Sequence, residues 1–226
     1  MVAKKDILIV GGYGTVGRRI AADLAPDYPS HIIVAGRSLK GATQLAAELG
    51  HGVRARQADV DDPTSIEAAL EDVGVVVSCI DQREPHLLHA AIAHGLAYTD
   101  ITPHLMQRRL TQAMKVGAAR TGARILLGAG LAPGISNMLA RLGADRVGAV
   151  ESVVSNTLLS VGDIYGPASR NYIMEEIASH TPPLWTASSS QLVPSSGLPA
   201  CHSHRRSVGA RRIYFPSPIN SSSQKR

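Results

Sequence analysis

The stretch "ILIVGGYGTVGRRI", residues 7–20, decides how this chain is read. An apolar run at residues 7–10 breaks into Gly11, Gly12, Gly14 and Gly17 before a second pattern opens near Thr15. A continuous apolar run is the mark of a strand buried on both faces. Glycine weakens strands and helices alike, so four of them at the handover need a reason. Either the segment is a loose connection or the glycines make room for a phosphate. Residues 12–17 fit G-x-G-x-x-G. In that motif the first glycine makes a tight turn, the second admits a pyrophosphate and the third lets the helix pack against the strand. The helix start adds free N–H groups and partial positive charge. The motif is weak alone. Here a strand precedes it and a helix follows, which favours dinucleotide binding.

Outward from this turn, apolar runs recur at 31–36, 52–59, 73–80, 96–101 and 123–130. Helical patterns lie between them. Ala42, Leu45, Ala46 and Leu49 share a face that ends at Gly50, a C-cap candidate, and Asp62-Pro63 reads as an N-cap with proline at the first helical position. Helices are also expected over 15–25, 85–95 and 103–120, the last with Met106, Leu110, Ala113, Met114 and Gly117 on one face. Alternation of this kind predicts an α/β fold: a doubly wound parallel sheet with right-handed connections and ligands at the carboxyl ends of its strands.

Past residue 145 the pattern changes. Residues 149–162 read as a strand of a different sheet and 168–180 as a helix. Residues 181–226 hold eleven serines, six prolines and no carboxylate. The expected domains are therefore 1–145, dinucleotide-binding; 146–180, part of a second α+β domain; and 181–226, a low-complexity disordered tail. A sharper reading of the break is a frameshift or premature end in a longer protein.

The net charge is +5 over 226 residues, but six Lys/Arg fall after residue 180, leaving the body near neutral. The basicity belongs to the tail, so no nucleic-acid partner is expected. Cys79 and Cys201 are too few and too distant for a disulfide scaffold. The apolar run after Lys4 and Lys5 is too short for a signal peptide or a membrane span, so a cytoplasmic protein without membrane attachment is expected.

The second strand ends in Gly36, Arg37 and Ser38, where an NAD enzyme usually carries Asp or Glu for the ribose 2′-hydroxyl. Arginine pairs with phosphate and serine adds a hydrogen bond, so NADP is favoured over NAD; a solvated arginine is the plainer alternative. Asp59 and Val60 stand where an adenine would lie, although Asp59 also suits a loop with Asp61 and Asp62. Ser78 and Cys79 end the fourth strand, near the nicotinamide half, and Cys79 reads as a small buried hydrophobe. His86, His89 and His94 share a helix without completing a metal set, so no metal is expected.

The segments "GGYGTVGRRIAADLA", "VAGRS", "ARQADVDDPTSIEAALEDVGVVVSCI", "HLLHAAIAHGLAYTDIT" and "GAGLAPGISNMLA" together resemble the saccharopine dehydrogenase-like family of NAD(P)-binding oxidoreductases, over roughly residues 5–180. The resemblance implies a Rossmann domain followed by an α+β substrate domain. It implies hydride transfer between NADP(H) and an imine, secondary amine or related small carbonyl substrate. By position it places Gly12, Tyr13, Gly14, Thr15, Val16, Arg37 and Ser38 at the cofactor. Thr99, Asp100 and residues 130–137, with Gly130, Pro133 and Gly134, fall at the rim facing nicotinamide and substrate. Family members are usually longer, with a fuller substrate half. A homodimer is left open. Asp100 is the candidate acid; a cap for the following helix is the competing role. Two other readings stand beside this one. The first is a nucleotide-binding module without turnover. The second is a short-chain dehydrogenase, disfavoured because no tyrosine has a lysine four residues on.

Overall fold

The computed structural model describes residues 6–82, 84–102, 112–147, 152–158, 166, 170, 191–193 and 210–216. The chain divides into two compact units, Met1–Gly134 and Ile135–Arg226.

In the first unit, strands and helices alternate. The order is β1 (Asp6–Val10), α1 (Thr15–Leu24), β2 (Ile32–Gly36), α2 (Leu39–Leu49), β3 (Arg54–Gln57), α3 (Pro63–Ala69), β4 (Val73–Ser78), α4 (His86–Ala93), β5 (Ala97–Asp100), α5 (Gln112–Thr121) and β6 (Arg124–Leu126). The sheet runs β3-β2-β1-β4-β5-β6 and every pairing is parallel. Strand order reverses between β1 and β4, the switch point at which ligands of such sheets bind.

Side-chain alternation divides the core into two layers. Leu8, Val10, Ile33, Val76 and Tyr98 point to one face and pack with Ile66, Leu87, Leu88 and Ile92 from α3 and α4. Ile9, Ile32, Val34 and Val77 point to the other and pack with Ala21 of α1 and Ala42 and Leu45 of α2. Both faces of β1 and β2 are covered, which is why these strands are continuously apolar.

The helix ends follow their side chains. Ser38 Oγ accepts from Gly41 N at the start of α2, and Gly50 closes it at φ +64°. Asp62 Oδ1 accepts from Thr64 N at 2.9 Å, with Pro63 opening α3. At the amino end of the sheet, Asp6 accepts from His31 Nδ1 at 3.1 Å and pairs with Arg54, tying together the starts of β1, β2 and β3.

The second unit contains α6 (Ile135–Val147), β7 (Ser152–Leu158), β8 (Gln191–Val193) and β9 (Ala210–Pro216). Its three strands form an antiparallel sheet in the order β7-β9-β8. The strand read at 149–162 thus joins a separate sheet, as its change of pattern suggested. Within residues 181–226, read from composition as a disordered tail, the described residues are the strands β8 and β9. The first part of the helix expected at 103–120 and nearly all of that at 168–180 lie outside the described residues. Among the described residues no helix is long and apolar enough to cross a membrane.

Candidate cofactor-binding site

The turn after β1 is built from backbone contacts that side chains would obstruct. Gly11 N and Gly12 N both donate to Ala35 O, at 2.9 and 3.1 Å, and Gly14 N donates to Gly11 O at 2.9 Å. The left-handed residue is Gly11, at φ +75°. The tight turn therefore falls one residue before the motif, not on Gly12 as its spacing predicts. Gly12 instead permits close packing: a Cβ there would stand 2.8 Å from Ile9 O and 2.9 Å from Val34 Cγ1. A Cβ on Gly17 would overlap Gly11 O and lie 2.7 Å from Gly12 Cα, so this glycine brings α1 against the turn. Gly14 is the N-cap of α1 and no side chain caps the helix. The first-turn N–H groups, at Thr15, Val16 and Gly17, have no carbonyl four residues back within the helix. Thr15 and Val16 are exposed beside them. A bare backbone cradle opening onto a helix start suits a pyrophosphate in size and polarity.

Tyr13 leans from this turn to the end of β2. Its hydroxyl accepts from Ser38 N at 3.0 Å, and its ring lies where a Cβ on Gly36 would be, 2.6 Å from Cε1. Arg37 is exposed and has no ion-pair partner among the described residues. Residues 36–41 contain no carboxylate and add Lys40 in the first turn of α2. The positive charge beside a capped helix start is the chemistry a 2′-phosphate needs.

Asp59 sits in a turn of its own: its N–H donates to Ser65 Oγ at 2.9 Å, and its Oδ1 accepts from Asp61 N at 3.1 Å. Val60 is buried in the first core layer with Ala58 and Ile66.

The ends of β4 and β5 carry a buried polar network. Ser78 stands opposite Asp100 in the register, and both are fully buried. Gln82 Nε2 donates to Ser78 Oγ at 3.1 Å and to Tyr98 Oη at 3.0 Å. Tyr98 donates to Asp100 Oδ2 at 3.1 Å, while Thr102 N and Thr102 Oγ1 both donate to Asp100 Oδ1 at 2.6 Å. Burial raises the Asp100 pKa, and the Thr102 and Tyr98 hydrogen bonds only partly oppose it. Burial, reinforced by the Asp100 charge, pushes the Cys79 thiol up to about 12 and also raises Tyr98. Cys79 is thus no thiolate at neutral pH. Gln82 and Tyr98 are not among the predicted site residues. The register that aligns Ser78 with Asp100 is the signal that links them, and it requires the strand pairing to be known.

Residues 130–134 fold against the end of β5. Ala129 N donates to Asp100 O at 2.8 Å, and a Cβ on Gly130 would lie 2.7 Å from Ile101 O. Gly134 adopts φ +130° and Pro133 follows a cis peptide. Gly130 is thereby set against the backbone just after Asp100, and Gly134 folds back on Gly130. Thr99 points to the opposite face from Tyr98 and lines an apolar hollow of about 250 Å³ with Val75, Ala97 and Leu126; its hydroxyl is buried with no hydrogen-bond partner among the described residues. Among the described residues no group of three or more His, Cys, Asp or Glu is placed to hold a metal, and His94 instead meets Glu67 at 2.7 Å.

Residues 7–123 match the family described as saccharopine dehydrogenase NADP binding domain. Among solved structures, apo histidine-tagged saccharopine dehydrogenase (L-Glu forming) from Saccharomyces cerevisiae aligns at 23% identity and a TM-score of 0.56, over 69% of this chain and 35% of that one. The chain thus spans about a third of that enzyme's length. Citrobacter sp. triphenylmethane reductase complexed with NADP(H) aligns at 17% identity and a TM-score of 0.44, over 68% of this chain and 60% of that one. The yeast likeness shows the shared fold.

Proposed function

The chain belongs to the saccharopine dehydrogenase NADP-binding domain family, and from that premise we propose that it is the NADP(H)-carrying part of an oxidoreductase acting on an imine, secondary amine or related small carbonyl compound. The observation that carries this reading is the bare glycine cradle at the start of α1, with an exposed Arg37 at the end of β2 that has no ion-pair partner among the described residues. In this reading Gly12, Tyr13, Gly14, Thr15 and Val16 surround the pyrophosphate, while Arg37 and Ser38 take the 2′-phosphate. Asp59 and Val60 border the adenine; Ser78 and Cys79 border the nicotinamide. Thr99, Gly130, Pro133 and Gly134 form the substrate rim. Residues 1–145 would serve the cofactor and 146–180 would begin the substrate half. Bound nicotinamide supplies the hydride. The chain's own residues bind and orient it, and the buried network from Ser78 to Thr102 keeps the strand ends rigid beneath it.

Asp100 enters this proposal chiefly as the builder of the turn after β5. To donate a proton directly to substrate, its carboxyl would have to leave three internal donors. That same observation favours a second reading, an NADP-binding module without turnover. The test is NADPH consumption by the purified chain over a panel of imines, ketones and quinones, with Asp100→Asn alongside. Turnover lost in that variant at unchanged NADPH affinity supports a catalytic acid. Binding without turnover on any substrate supports the module.

A further inference from the structure

One peptide unit lies at the heart of the proposed 2′-phosphate selector, the plane joining Arg37 to Ser38. Its carbonyl accepts from Gln57 Nε2 at 3.3 Å. Its N–H donates to Tyr13 Oη at 3.0 Å. The two side chains come from separate places, Tyr13 from the glycine turn and Gln57 from the last residue of β3. A peptide is planar, so holding both its C=O and its N–H fixes its rotation about the chain and with it the ψ of Arg37 and the φ of Ser38. Arg37 has no ion pair of its own among the described residues, so its backbone sets where the guanidinium reaches. The Tyr13 ring is itself seated, because Gly36 offers no Cβ to displace it.

We propose that Tyr13 and Gln57 are positioning residues for cofactor choice: they clamp the Arg37–Ser38 peptide from both ends and so set the preference for a 2′-phosphorylated dinucleotide. This rests on the reading of Arg37 and Ser38 as the 2′-phosphate site. Neither clamp residue carries the charge that recognises the phosphate. Each removes rotational freedom that the selector would otherwise lose on binding. The clamp also ties the pyrophosphate turn to the selector through a single side chain, Tyr13.

The test uses the full chain and calorimetric titration with two fragments, adenosine 2′,5′-bisphosphate and AMP. Tyr13→Phe keeps the ring against Gly36 and removes the acceptor for Ser38 N–H. Gln57→Met keeps the length and removes the donor to Arg37 O. Each is expected to lower the ratio of the two affinities by about 3- to 10-fold, the worth of one neutral hydrogen bond. Gly36→Ala, whose Cβ would stand 2.6 Å from Tyr13 Cε1 and 2.8 Å from its hydroxyl oxygen, displaces the whole side chain and is expected to lower the same ratio. An equal loss for both fragments, or an unchanged ratio, overturns the clamp while leaving the selector standing if the wild-type chain prefers the bisphosphate. A wild-type chain with no such preference overturns both.

Discussion

Gly17→Ala adds one methyl group at the point where α1 meets the turn. The new Cβ would overlap Gly11 O and lie 2.7 Å from Gly12 Cα and 2.9 Å from Gly11 C. All three are backbone atoms, so none can rotate aside. Overpacking of this kind costs about 1–3 kcal/mol. Alanine recovers up to about 1 kcal/mol of helix propensity over glycine. Because the obstruction is backbone, the upper part of the overpacking range applies, and the net loss is expected to be about 1–2 kcal/mol. Gly41→Ala in α2 is the matched control: its Cβ would meet nothing closer than 3.5 Å, and the substitution is expected to be neutral or to stabilise by up to about 1 kcal/mol. Urea denaturation followed by far-ultraviolet circular dichroism measures both. Tryptophan fluorescence is unsuited, since Trp185 belongs to the sequence after the first unit. Gly17→Ala as stable as the wild-type chain would refute the steric reasoning. So would a Gly41→Ala variant destabilised to the same degree.

Two pH effects have opposite sign. Burial raises the Asp100 pKa above its unfolded value, so its contribution is fully present at low pH and is lost as pH rises through the native value. Asp100→Asn should therefore gain stability relative to wild type between about pH 4 and pH 8. Denaturation at the two pH values checks this, and a variant that loses ground at high pH would show the carboxylate to be stabilised overall. For Asp6, burial acts to raise the pKa, but hydrogen bonds from Arg54 and His31 outweigh it and hold the carboxyl below its ordinary range. Its stabilisation is present above the unfolded value and is lost as pH falls through the native one. Asp6→Asn is expected to cost about 1–3 kcal/mol at neutral pH and progressively less in acid, as the wild type loses the same charge. A pH-independent difference would point to packing instead of charge.

Much of the first unit is legible in the sequence because its signals are local. The apolar runs at β1, β2 and β4, the Asp62-Pro63 start of α3 and the Gly50 end of α2 each announce themselves within a few residues. The glycine motif is legible too, but spacing does not report φ. The residue that needs the left-handed conformation is Gly11, and Gly12 is glycine for packing. The Asp100 network is not legible in advance, because it depends on the parallel register that sets Ser78 beside Asp100 and on a glutamine four residues beyond β4. The clamp on the Arg37–Ser38 peptide is hidden for the same reason: Tyr13 and Gln57 stand 25 residues before Ser38 and 20 after Arg37. β8 and β9 lie in a segment whose composition shows no periodicity. Their signal is pairing, of β9 with β7 and of β8 with β9, which no local window contains.

The most direct measurement is a titration of the purified chain with NADPH and, separately, with NADH, repeated in Arg37→Ala. NADPH bound more tightly than NADH, with the difference abolished in the variant, is the expected result. Equal affinities in the wild-type chain, or a preference for NADPH that survives Arg37→Ala, would contradict the assignment of the end of β2 as the 2′-phosphate selector.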